Sequence, residues 1–274
     1  MPKPRSKYKM KTSEESPEPI REPEEIVKPE ETKSLEQLET WKPKTELGKK
    51  VKQGLIKDID EILESGKKIL EKEIVDALLP GLESDLLLIG QARGKFGGGK
   101  RRVFKQTQKK TKEGNKPHFA TLAIVGNKNG YIGVGYGKAK ETVPAREKAI
   151  RKAKLNTIKI RRGCGSWQCN CGQPHSVPFT VEGKCGSVKI KLMPAPKGKG
   201  LIVEKECQKI LSFAGIKDVW SRTEGQTRKK LNLVGACMIA LKKLQETKIR
   251  QSDISVLSII DGKEPPKQNA QVVE

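Results

Sequence analysis

Aromatic residues make up only 4% of this 274-residue chain and apolar residues 34%, too little for one large core. The 229 residues beyond Thr45 are therefore expected to form two small domains. No apolar run approaches the roughly 20 residues that cross a bilayer, which excludes a membrane-spanning helix. The opening MPKPRSKYKMKTSEE also lacks the apolar stretch of an export leader. Histidine is nearly absent, with only His118 and His175. General acid–base chemistry would fall on carboxylates or cysteines, no Ser/His/Asp or Cys/His/Asn arrangement can be assigned, and the chain is not expected to be an enzyme. His118, in KPHF, reads as a polar residue at a strand edge. The six cysteines, three of them between Cys164 and Cys171, fit a reducing compartment with one metal site better than a disulfide scaffold. The expected location is the cytoplasm.

What is abundant is positive charge. The chain has 56 Lys and Arg against 33 Asp and Glu, a formal excess of 23. Residues 1–45 hold ten basic and ten acidic residues, so the whole excess lies beyond Thr45. A polyphosphate is the economical partner, ahead of an acidic protein or a membrane surface, because each Lys or Arg that meets a phosphate releases condensed counterions. The first 45 residues, rich in Pro, Glu and Lys, have too little apolar content to offset ordering entropy and read as a flexible tail.

From 46 to 84 the spacing of Leu55, Ile59, Ile62 and Leu63, and then of Ile69, Ile74 and Leu78, predicts two helical segments separated near Ser65-Gly66, a helical extension ended by Pro80-Gly81. A β-rich module follows over 85–160. One strand starts at Val103 and a second covers 119–125 (FATLAIV), with the polar, basic QTQKKTKEGNK between them. Asn129-Gly130 predicts a type I′ hairpin turn into a third strand at 131–137. On that strand Gly133, Gly135 and Gly137 leave one face bare, open to an RNA backbone or to a neighbouring helix or strand. A helix with Thr142 as N-cap and Pro144 in its first turn places Ala145, Ala149, Ile150 and Ala153 on one arc. Lys148, Arg151, Lys152 and Lys154 lie on the other.

A Cys-rich linker loop spans 161–176. Within it CGSWQCNCGQPH offers Cys164, Cys169, Cys171 and His175 as C-x4-C-x-C-x3-H, four soft or borderline ligands that suit tetrahedral Zn²⁺. The expected role is structural: metal would close a loop with too few apolar residues to order itself. A second α+β module is expected over 177–246. It has a strand at 187–192, the basic loop PAPKGKG, a helix with Cys207, Ile210, Leu211 and Ala214 facing the core and stopping at Gly215, and a closing helix at 231–244 that is apolar nearly all round. Residues 247–274 read as a tail.

The stretch GKFGGGK at 94–100, preceded by apolar 86–89, nearly satisfies a phosphate-binding P-loop. It fails at Arg101, where a Ser or Thr would ligate Mg²⁺, and RRVFKQTQ after it reads as a strand rather than the helix that should face phosphate.

Four segments taken together resemble a known family: the GGGKRRVFKQTQKKTKEG loop, the hairpin and helix VGNKNGYIGVGYGKAKETVPAREKAIRKAK, and, in order, PHSVPFTVEGKCGSVKIKLMPAPKGKG and ILSFAGIKDVWSRTEGQT. They look like the universal small-subunit ribosomal protein S-five, S-two in eukaryotes, over residues 46–246. The longer helical extension and QARGKFGGGKRRVF make the variant archaeal in type. The resemblance implies an α+β fold: a double-stranded-RNA-binding-like N-terminal domain (a three-stranded sheet with a helix) followed by a second small α+β domain. It also implies a structural, ribosome-bound role in the small (30S) subunit. There the chain would bind small-subunit ribosomal RNA and support assembly and decoding accuracy, beside S-four and S-eight family proteins and messenger RNA where it enters. Carried over position by position, the family's ribosomal-RNA loop falls on Lys105, Gln108, Lys109, Lys110, Lys112 and Lys116, with Arg101 and Arg102 leading in. Arg161, Arg162, Lys197 and Lys199 are second-rank candidates. Family members without the cysteines also carry the PH dipeptide, so metal is no general family requirement. The rival readings are a free-standing double-stranded-RNA-binding regulator and a zinc-dependent RNA-modifying enzyme. The latter is disfavoured because no H-x-E occurs.

Overall fold

The computed structural model describes residues 40–91 and 101–263. Most of the expected N-terminal tail, the P-loop-like 94–100 stretch and residues 264–274 lie outside the described residues.

The helical extension holds three short helices rather than two segments: α1 (Glu46–Lys52), α2 (Ile59–Glu64) and α3 (Lys72–Leu78). Gly54 and Gly66, both at positive φ, follow α1 and α2, where residues with a Cβ would be strained. Val51, Ile59, Ile62, Ile69, Ile74, Val75 and Leu79 form their own apolar cluster with Tyr131 of the first sheet. Residues 41–45, expected as tail, belong to this body. Glu71 accepts hydrogen bonds from Trp41 Nε1 at 2.9 Å, Lys44 N at 2.9 Å and Thr45 N at 2.6 Å. Burial raises its pKa, but these donors outweigh that and hold it below the usual carboxylate value.

The extension docks through Asp60, which accepts from Tyr131 Oη at 2.7 Å and from Lys159 Nζ at 2.9 Å. Burial, then the Asp60 hydrogen bond and charge, push the Tyr131 phenol above its ordinary range. Burial alone would lower Lys159, but Asp60 and Glu64 reverse the sign and hold the ammonium protonated above its usual pKa.

The first sheet contains β1 (Glu83–Leu87), β2 (Lys105–Thr111), β3 (Gly114–Gly126), β4 (Tyr131–Ala139) and β5 (Thr157–Lys159), all antiparallel. β1 and β2 lie end to end along one edge of the long β3, and β4 and β5 follow on the other. Two strands, β1 and β5, thus flank the expected three. The turn into β4 is not the predicted two-residue type I′ turn. Positive φ falls on Lys128 and Gly130 rather than on Asn129, and Asn127 Oδ1 accepts from Asn129 N at 2.8 Å and Tyr131 N at 3.2 Å. The Asn127 side chain builds the bend that the Asn-Gly pair alone was expected to build.

Helix α4 (Thr142–Leu155) covers the bare face of β4. A Cβ on Gly133, Gly135 or Gly137 would stand 2.1–2.2 Å from the carbonyl oxygens of Ala153, Ala149 and Ala145 respectively. The glycines therefore admit a helix backbone rather than RNA, and the matching alanines of α4 are fully buried. Glu141, not Thr142, is the N-cap residue of α4. On its basic arc Lys154 is held by Asp76 of α3 at 2.6 Å.

The second module carries β7 (Val181–Cys185), β8 (Val188–Pro194), β10 (Val219–Glu224) and β9 (Leu201–Ile202), ordered β7-β8-β10-β9. Helices α5 (Lys205–Phe213) and α6 (Lys230–Glu246) belong to it, and Gly215 past α5 takes the positive φ its position predicts. Cys207 and Cys237 are fully buried core residues, as their spacing indicates. Mutual hydrogen bonding between the two thiols, followed by burial, raises the Cys207 pKa far above its usual value.

One apolar cluster runs through both modules, from Leu87, Ile124 and Ile132 of the first sheet to Ile190 of β8, Leu211 of α5 and Leu241 of α6. Buried Glu206 of α5 reinforces the junction by accepting from Leu88 N at 2.8 Å. Part of the expected C-terminal tail is also built in: α7 (Gln251–Val256) leads to β11 (Ile260–Asp261), which pairs with β6 (Arg161–Arg162).

Candidate nucleic-acid interface

The basic segment read as a loop is a β-hairpin. β2 pairs with the first half of β3, so Lys105 to Thr111 face Ala120 to Gly114 in register. Every residue from Lys105 to Lys110 and from Lys112 to Pro117 is exposed, so this ribbon has no core beneath it. In an antiparallel pair, directly opposed residues share a face. Lys105, Lys109 and Lys116 therefore stand on one side, and Gln108 and Lys110 on the other. Lys109 is directly opposite Lys116, a like-charge pair that costs roughly 0.2–1 kcal/mol. The Glu113–Lys116 ion pair at 2.7 Å is itself exposed and offsets little of that. A bare two-stranded ribbon is marginal in water, and opposed lysines weaken it further.

At the base of the hairpin, Arg101, Arg102 and Lys105 line a cleft together with Arg228, Lys229 and Lys230. The second trio was missed in the sequence. It comes from TEGQTRKK, which runs into the first residue of α6. Lys230 is committed to Glu204 at 2.6 Å, while Lys229 is the N-cap residue of α6, whose first turn has no acidic residue. Cations at a helix N-terminus oppose the macrodipole by roughly 0.3–1 kcal/mol, a cost that a bound phosphate would reverse. A charge run directly before a long helix was the available signal.

The second-rank candidates divide. Lys197 and Lys199 are exposed on the loop after β8 and do not line the cleft. Arg161 and Arg162 are engaged within the fold. The Arg162 side chain is buried, with Nη2 donating to Asn129 Oδ1 at 2.8 Å and Gly262 O at 2.9 Å. Arg161 forms a two-pronged pair with Asp261, at 2.6 and 3.1 Å, and donates to the carbonyls of Leu244 and Thr247. A guanidinium satisfied in this way has few donors left for phosphate.

The four predicted metal ligands come together. One ligand atom from each of Cys164, Cys169, Cys171 and His175 lies within 4.8 Å of all the others. The backbone N–H of Lys197 and the thiol of Cys171 pull Cys169 down to about 6, whereas burial pushes Cys164 up to about 11. Cys185 stands apart, against Gly235 of α6. His118 lies inside β3 rather than at a strand start, paired with Thr107 across the hairpin.

The family model described as ribosomal protein S5, N-terminal domain, matches residues 100–161, and the one for the C-terminal domain of S5 matches 183–253. A protein of Nanoarchaeum equitans named small ribosomal subunit protein uS5 is 50% identical over 225 residues, covering 82% of this chain and 96% of its own. The chain belongs to the ribosomal protein S5 family. Proteins of the same name from Methanosphaera stadtmanae and Methanocaldococcus jannaschii are 47% and 46% identical, each over 82% of this chain and over 92% and 97% of their own lengths. Within this S5 chain the lysine hairpin, the Arg101–Arg102 approach and the Arg228–Lys230 run all fall inside the matched stretches. The cysteine cluster falls between them.

Proposed function

We propose that this protein is a structural constituent of the small ribosomal subunit, holding ribosomal RNA between the β2–β3 hairpin and the cleft at its base. The observation that carries RNA binding is the exposed ribbon, where lysines oppose one another with no core beneath. Backbone phosphates would be the contacts: long cations on both faces of a ribbon follow a phosphate chain and position it rather than read bases. Membership in the S5 family, and relatives named as small-subunit proteins at about half identity, support the assignment to that particle and ribosome-bound localisation. Among the described residues no helix is long and apolar enough to cross a membrane.

The finer placement follows the family resemblance: contacts with S-four and S-eight family proteins, proximity to messenger RNA where it enters the subunit, and support of assembly and decoding accuracy. The test is sedimentation of the tagged chain in lysate, followed by cross-linking of the 30S fraction. Comigration with 30S particles, with cross-links from the hairpin to small-subunit RNA, is expected. A light soluble peak would favour a free-standing RNA-binding regulator. Cross-links that omit the S-four and S-eight neighbours would remove the finer placement and leave the particle assignment standing.

A further inference from the structure

The 164–175 loop holds an arrangement that RNA binding does not require. Cys171 Sγ lies 3.6 Å from Cys164 Sγ, and Cys169 Sγ lies 3.6 Å from His175 Nε2. In a tetrahedral site with Zn–S of about 2.3 Å and Zn–N of about 2.05 Å, the S···S edge is about 3.8 Å and the S···N edge about 3.6 Å. Two edges already match the spacing a metal would set.

The second observation concerns the imidazole. His175 is buried, and its Nδ1 lies 2.8 Å from Oδ2 of the equally buried Asp218. With Nδ1 against that carboxylate, Nε2 is left facing Cys169 Sγ, the carboxylate–histidine arrangement that orients and strengthens zinc ligands. Asp218 is fixed in turn: its Oδ1 accepts from Gly200 N at 2.7 Å, and its own N–H and that of Lys217 donate to His175 O.

We propose that Cys164, Cys169, Cys171 and His175 bind one structural Zn²⁺, with Asp218 as the positioning carboxylate behind His175. All four positions are protein ligands, so none is open for catalysis. The three thiol protons leave to solvent as the sulfurs bind. The loop closes at its base through the paired Gly163 and Ser176, and Cys164 N donates to Leu257 O of the C-terminal segment at 2.7 Å. Lys197 Nζ donates to Gln173 Oε1 of the same loop at 3.0 Å. The metal thus joins the linker, the C-terminal return and the 194–200 loop. It fixes where Lys197, Lys199 and Trp167, which is 89% exposed, stand on the surface.

The test is metal analysis of the full chain purified under reductant without chelator. About one zinc per chain is expected in the wild type and in Cys185→Ser, and less than about 0.2 in Cys169→Ser/Cys171→Ser, as a closed single-metal site requires. Should the double variant not fold, the wild type still decides. Exchange with Co²⁺ is expected to give the absorption of tetrahedral, thiolate-bound cobalt. A metal-free wild type, or a Cys164–Cys171 disulfide in its place, overturns the proposal. Asp218→Asn should keep the stoichiometry but weaken zinc affinity by roughly 10–100-fold. Unchanged affinity would remove Asp218 from it.

Discussion

Neutralising the hairpin is the perturbation that bears most directly on RNA binding. Lys105, Lys109, Lys110 and Lys112 are all exposed, so changing them to Gln should leave stability within about 0.5 kcal/mol. Relief of the Lys109–Lys116 opposition would push it slightly upward. Each phosphate contact contributes about 0.7–0.9 to the slope of log K against log salt. Losing four contacts should flatten that slope by about 3, so between 50 and 200 mM salt the wild type should lose on the order of 100-fold more affinity than the quadruple variant. Anisotropy titrations against a ribosomal-RNA fragment across that range measure it, with thermal unfolding as the control. The two pairs dissect the geometry. Lys105→Gln/Lys109→Gln leaves only Lys116 on one face of the ribbon, and Lys110→Gln/Lys112→Gln clears the other face and the turn. If RNA surrounds the ribbon, each pair removes about half the effect. A quadruple variant that keeps both affinity and slope refutes the hairpin assignment.

Gly135→Ala should destabilise the protein by about 3 kcal/mol or more, because its Cβ would sit 2.2 Å from Ala149 O and Ala153 N; a loss under about 1 kcal/mol in chemical denaturation would mean that α4 can shift. Arg162→Ala should cost about 2–4 kcal/mol, since buried acceptors lose a charged donor, while leaving the salt slope of RNA binding unchanged; a flattened slope would return Arg162 to the RNA contacts. Asp60→Ala should free the helical extension at a similar cost, seen as early proteolytic cleavage within 40–79. Tyr131 and Lys159 both have folded-state pKa values above their ordinary ones. Their contribution is therefore fully present below about pH 10 and is lost as pH rises further. Stability should fall on the alkaline side in the wild type and less steeply in Asp60→Asn, and identical alkaline limbs would contradict the coupling.

What could be read in the sequence followed from local chemistry. The glycine alternation of β4, the alanine arc of α4, the core positions of α5 with Gly215 behind them, and the ligand spacing of the cysteine loop are all short-range patterns. The misreadings share a different cause. The end of β2 and the start of β3, read as a loop, are polar and exposed on both faces, so they lack the period-2 apolar signal by which strands are recognised. Arg161 and Arg162 look like surface charge, but Asp261 and Gly262 return from 100 residues away to bind them. The same return makes part of the C-terminal segment structural, although its own composition suggests a tail. Arg228 and Lys229 became part of the candidate interface only when folding brought them to Arg101 and Arg102, and Asp218 stands 43 residues from the histidine it orients.

We propose that this S5 family chain sits in the small subunit with ribosomal RNA against its lysine hairpin and the cleft beneath it. Cryo-electron microscopy of native small subunits from cells expressing the tagged chain tests it most directly. The prediction is RNA phosphates within hydrogen-bond reach of Lys105, Lys109 and Lys110 and of Arg101, Arg102 and Arg228. A hairpin standing in solvent, with ribosomal RNA packed on some other face, would contradict it.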